Sequence, residues 1–73
     1  MADFVVLLNN HLQTLGTTRE LRWQFEESGL KHQRMHTAVA LYYDNEIGKG
    51  TGNSKSQAKL AAAAQALNHL TQN

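Results

Sequence analysis

Between Ala58 and Ala66, six of nine residues are alanine. Alanine favours helix more than any other residue, and its small side chain lets a helix backbone lie close against another layer. The segment therefore predicts a helix from Ser54 to about Leu70 that packs by close approach. Its start is marked by Ser54 with Gln57 three residues later, the spacing of a capping box. Just inside that start, Lys55 and Lys59 share one face at i, i+4. Ahead of it, Gly48, Gly50 and Gly52 stand at alternate positions, a spacing that suits a strand approached tightly by a helix. The helix is thus divided, with charge on its first turns and packing surface afterwards.

Two other patterns supply the layer it packs on. Phe4, Leu7, Leu8, Leu12 and Leu15 follow helical spacing, with Asp3 as N-cap and Gly16 as the stop. The other side of that helix carries Asn9, Asn10 and Gln13, whose amides both donate and accept hydrogen bonds. From Arg19 to Glu27 the period becomes two: Leu21, Trp23 and Phe25 alternate with Arg22, Gln24 and Glu26, which predicts a half-buried strand with Trp23 and Phe25 in the core. A second strand is expected over Met35 to Tyr43, a turn at Asp44 and Asn45, and a short third strand over Glu46 to Lys49 that the glycines end early. The order α-β-β-β-α predicts an α+β fold, a two-layer sandwich in which two helices pack on one face of a three-stranded antiparallel sheet. Seventy-three residues make one small domain over 1–73, of a size also carried within larger proteins.

Charge and composition narrow the function. Seven Lys and Arg against six Asp and Glu leave a net charge of +1, but all six acids precede position 47 while Lys49, Lys55 and Lys59 follow it, so the C-terminal third is locally basic. The chain has no cysteine, which excludes disulfides and thiolate metal sites. His11, His32, His36 and His69 lack zinc-site spacing, and the three glycines lack the Gly-Lys-Ser/Thr of a P-loop. No enzyme, cofactor or metal is expected from these residues. With no apolar run near the roughly 20 residues that span a bilayer, and no secretory leader at "MADFVVLLNNHL", the expectation is a soluble intracellular domain, cytoplasmic or nuclear, with no membrane partner.

Four stretches together carry a resemblance: "LNNHLQTLG", "LRWQF", "ESGLKH" and "GKGTGNSKSQAKLAAAAQAL". In this order and spacing the chain resembles a double-stranded RNA-binding domain over nearly its whole length. The resemblance implies the same α-β-β-β-α order and a module that binds duplex RNA without catalysis, largely independent of sequence. It also implies roles. Ser54, Lys55, Ser56 and Lys59 would face phosphates across a major groove. Asn9, Asn10 and Gln13 would meet a minor groove, and His32, on the loop between the first two strands, would meet the next, with Lys31 beside it as an RNA-binding residue that replaces some of the charge missing at Ser56. Such domains span about 16 base pairs, reading A-form shape and 2′-hydroxyls. DNA is accordingly not an expected partner.

Several residues depart from the family pattern. Ser56 stands where a lysine is usual, Leu30 and Lys31 where proline is common, Asn10 where many members have glutamate, and Asp3 adds a negative charge near the expected RNA. In the second strand, ungapped alignment puts His36, Ala38 and Ala40 where larger residues are usually buried, and turns Thr37, Val39 and Leu41 away from the helices. Either the register slips by one, or the outer sheet face is unusually apolar. The latter would suit the alternative function, a protein-interaction version of the fold that dimerises or docks through its sheet.

Overall fold

A computed structural model describes residues 3–29 and 34–72. It has helix α1 (Phe4–Leu15), a 3-10 turn at Thr18–Glu20, strands β1 (Leu21–Ser28), β2 (Met35–Tyr42) and β3 (Asn45–Gly52), and helix α2 (Lys55–Thr71). The sheet is antiparallel in the order β1-β2-β3, and both helices pack on one face of it. This is the predicted α+β sandwich.

Local chemistry sets the helix limits. The Asp3 carboxylate accepts from the amides of Val5 (3.0 Å) and Val6 (3.4 Å), satisfying donors that the first turn leaves without partners. At the other end Gly16 adopts φ 72°; its amide donates to Gln13 O and the Thr17 amide to Leu12 O, the paired bonds of a Schellman cap. Helix α2 opens with Ser54 Oγ accepting from the Gln57 amide (3.2 Å), while Gln57 Oε1 accepts from the Asn53 amide (3.0 Å). The predicted capping box forms, with its return bond one residue earlier than usual.

The inner face of the sheet explains why β2 carries alanines. Pairing places Trp23 beside Ala40 and Ala40 beside Gly48; Phe25 beside Ala38 and Ala38 beside Gly50. Side chains therefore shrink from aromatic on β1, through alanine on β2, to glycine on β3. The surface falls away toward β3, and α2 occupies the low side, packing chiefly on β3 and β2. Ala58, Ala62, Ala63 and Ala66 are fully buried there. A methyl group on Gly48 would overlap the Ala62 carbonyl, and one on Gly50 would overlap the Ala62 amide, so the helix backbone rests on the strand backbone. The register has not slipped: Ala38 and Ala40 face the helices, and Val39 and Leu41 face away, opposite Gln24 and Arg22.

Several element limits differ from expectation. The strand expected from Arg19 begins at Leu21, because Thr18–Glu20 turns as a 3-10 segment. Strand β3 runs to Gly52 rather than ending at Lys49, since the helix above it covers glycines that would weaken an open strand. The hairpin turn is Tyr43-Asp44, one residue before the expected pair, with φ of 51° and 65°. Two positive φ values make a two-residue type I′ connection, whose twist matches the strands. A bulge between Ala40 and Leu41 leaves Ile47 unpaired on β3, and this isoleucine joins Leu8, Leu12, Ala63 and Ala66 in the core. Leu8 and Leu12 are the largest fully buried side chains, so the core is small.

Candidate nucleic-acid interface

The starts of α1 and α2 lie side by side. Asp3 and Val5 line a shallow groove with Ser56, Lys59 and Leu60, which joins the two helices into one surface. Asn9 stands one turn beyond Val5 and Gln13 one turn beyond Asn9, continuing the same stripe of α1. Asn9, Asn10 and Gln13 are all exposed. Among the described residues, none of their side-chain amides is spent on an internal hydrogen bond; the Asn10 backbone carbonyl accepts from Thr14 Oγ1.

On α2, Lys55 and Ser56 are exposed, and Ser54 and Lys59 are half-buried. Ser54 is committed to capping: its oxygen accepts from Gln57, leaving its O–H as a donor. The amides of Lys55 and Ser56 open the helix, where the backbone dipole favours an anion. The one ion pair among the described residues is Arg34–Glu27 at 2.9 Å, between exposed side chains, so neither α2 lysine is neutralised by a bound carboxylate. Lys31 and His32 lie outside the described residues. The structure thus brings Ser56 and Lys59 together with the start of the asparagine-bearing helix, with Ser54 and Lys55 on the same turns of α2.

Sequence reasoning missed what lies beneath the lysines. Lys55 Nζ sits 5.6 Å from the centre of the Phe25 ring, and Lys59 Nζ 5.1 Å from that of Trp23. The two rings stack, 6.4 Å apart and 17° from parallel. Trp23 packs into both core clusters, as expected, but Phe25 is 40% exposed and is not a core residue. It lies on an edge strand with only small residues inward of it. The available signal was the pairing of i, i+4 lysines with i, i+2 aromatics, which becomes meaningful once β1 and the start of α2 are known to meet. Sequence reasoning also missed Gln65, whose Oε1 accepts from the Lys49 amide (3.1 Å) and covers part of the β3 edge.

No group of three or more histidines or carboxylates among the described residues is arranged to hold a metal ion, and no helix there is long and apolar enough to cross a membrane.

A family model described as the double-stranded RNA binding motif matches residues 6–70. The chain is 44% identical over 45 residues to Ribonuclease 3 of Desulforamulus reducens, covering 62% of this chain and 18% of that protein. It is 31% identical over 70 residues to Ribonuclease 3 of Protochlamydia amoebophila, covering 96% of this chain and 29% of that protein. The chain therefore spans less than a third of the length of the curated relatives it matches.

Proposed function

The chain belongs to the double-stranded RNA binding motif family, and on that premise we propose that it grips duplex RNA by shape and backbone across two minor grooves and the phosphates between them. In this reading Lys55 and Lys59, with the open amides at the start of α2, meet phosphates. Asn9, Asn10 and Gln13 meet 2′-hydroxyls and base edges in one minor groove, and Lys31 and His32 meet the next. The two relatives are named as ribonucleases, but the matched stretch is a small share of each, and no catalytic step is assigned to these residues.

The observation that carries the reading is the pair of un-neutralised cations at the end of α2 that lies beside α1. Ammonium groups suit phosphates, which are alike at every sequence, while the amide stripe on α1 suits hydroxyls that DNA lacks. Selection of RNA over DNA then follows from groove shape and the 2′-hydroxyl.

The test is titration with a perfect RNA duplex of about 20 base pairs, longer than the roughly 16 such a fold spans, beside the same sequence as DNA and as single-stranded RNA. The RNA duplex should bind best by a wide margin. Replacing Lys55 and Lys59 together by glutamine should weaken binding at every sequence and make log affinity against log salt shallower by about one to two units. A folded double variant with wild-type affinity and salt slope refutes the phosphate role.

A further inference from the structure

We propose that Phe25 and Trp23 are positioning residues, whose ring faces hold the ammonium groups of Lys55 and Lys59 at a fixed spacing so that the two cations meet phosphates already arranged. The inference rests on the phosphate role argued above and adds to it two residues that touch no phosphate themselves.

Both Nζ–ring distances, 5.6 and 5.1 Å, fall within the range of about 6 Å over which a ring face attracts a cation. The arrangement repeats because two periods match. Four residues of helix rise about 6 Å and two residues of strand about 6.7 Å. Lys55 and Lys59 are four apart on α2, Phe25 and Trp23 are two apart on β1, and the ring centres are separated by 6.4 Å. Each lysine thus has its own ring. The exposure of Phe25 matters here: a residue that keeps 40% of its surface exposed is poorly used as core, and the Lys55 ammonium lies over its ring. An ammonium resting on a ring keeps its full charge and can turn N–H donors outward. A lysine swinging freely must give up rotamer freedom on meeting a phosphate; one seated on a ring has already lost part of it. This bears on Ser56, where the family pattern has a third lysine. Two placed cations replace some of what three mobile ones supply.

The experiment is a double-mutant cycle on duplex RNA affinity with Phe25→Leu and Lys55→Gln. Leucine keeps apolar bulk and removes the ring face. Phe25→Leu alone should weaken binding about two- to fivefold, with the salt slope unchanged because no charge is lost. In the Lys55→Gln background the same change should do nothing further, and Phe25→Tyr should bind as wild type. In the free protein, the upfield ring-current shift of the Lys55 ε protons should vanish in Phe25→Leu and persist in Phe25→Tyr. Equal losses in both backgrounds overturn the inference, since Phe25 would then act independently of the lysine. So does wild-type affinity for Phe25→Leu while Lys55→Gln binds weakly. Wild-type affinity and slope for Lys55→Gln would instead sink the phosphate role, and this inference with it.

Discussion

Adding one methyl group at Gly50 should test whether α2 is held by direct backbone contact with β3. Gly50 does not occupy the left-handed region, so alanine is conformationally allowed, and restricting the unfolded chain gains about 0.4–1 kcal/mol. Against that, the new Cβ would lie 2.6 Å from Ala61 Cβ and 2.7 Å from the Ala58 carbonyl oxygen, and closer still to the Ala62 amide. Carbon atoms rest comfortably at about 3.5–4.0 Å, so α2 must rise by about 1 Å, and a gap of that size forfeits up to about half of each dispersion contact it opens. Overpacking usually costs about 1–3 kcal/mol. The obstacle here is helix backbone rather than a side chain that can turn aside, which favours the upper end. The expected net loss is roughly 2 kcal/mol, equivalent to about 8–16 °C in melting temperature for a domain of this size. Thermal melts followed by circular dichroism would measure it, with Thr51→Ala as control, because Thr51 is the exposed neighbour on the opposite face. Melting of Gly50→Ala within about 2 °C of that control would refute direct helix-on-strand packing.

Two further outcomes follow from the outer sheet face and from position 56. Val39 keeps only 9% of its surface exposed, flanked by Gln24 and Lys49 rather than by the helices, so replacing Val39 and Leu41 together with threonine should cost about 1–2 kcal/mol, short of the 2–5 typical of emptied core sites. Sedimentation should find a monomer at all concentrations before and after that change, with duplex RNA affinity unaltered; concentration-dependent association abolished by the double variant would favour docking through the sheet instead. Ser56→Lys adds a cation at an exposed position on the first turn of α2, and should tighten duplex RNA binding and steepen the salt slope by about one unit; an unchanged slope would mean that position 56 does not face phosphate.

What could be read from the amino-acid sequence was whatever short-range chemistry decides. The limits of α1 follow from one carboxylate and one glycine, and the start of α2 from one hydroxyl and one glutamine. The turn was misplaced for a tertiary reason. Asp44-Asn45 is the better turn pair by residue preference. However, Tyr42 must face inward beside Leu21, where its hydroxyl donates to Thr17 Oγ1 (2.8 Å), and Asn45 must pair with Tyr42. That register forces the turn back onto Tyr43, whose positive φ is supported by edge-on contact with the Tyr42 ring and by donation of its amide to Glu20 O. The candidate interface divides the same way. Its cations and amides were visible as a pattern; the rings beneath the lysines were not, because cation–ring pairing depends on which strand lies below which turn.

The graded sheet surface ties packing to the proposed RNA contact. Strands β1 and β3 are separated by two strand spacings, about 9.6 Å, so a helix seated over β3 reaches β1 only with long side chains. Lysine is such a side chain, and the rings of Trp23 and Phe25 rise toward it from the high side of the slope. Glycine on β3 lowers the helix, alanine on both α2 and β2 keeps it low, and the aromatics then stand at the height of the lysine heads. A larger residue on β2, where the family usually buries one, would hold α2 further from the sheet and lift its lysines off the rings. Ala38 and Ala40 are therefore departures with a consequence: they permit the close approach on which the seating of Lys55 and Lys59 depends, in a chain that has only those two lysines on α2 to offer a phosphate backbone.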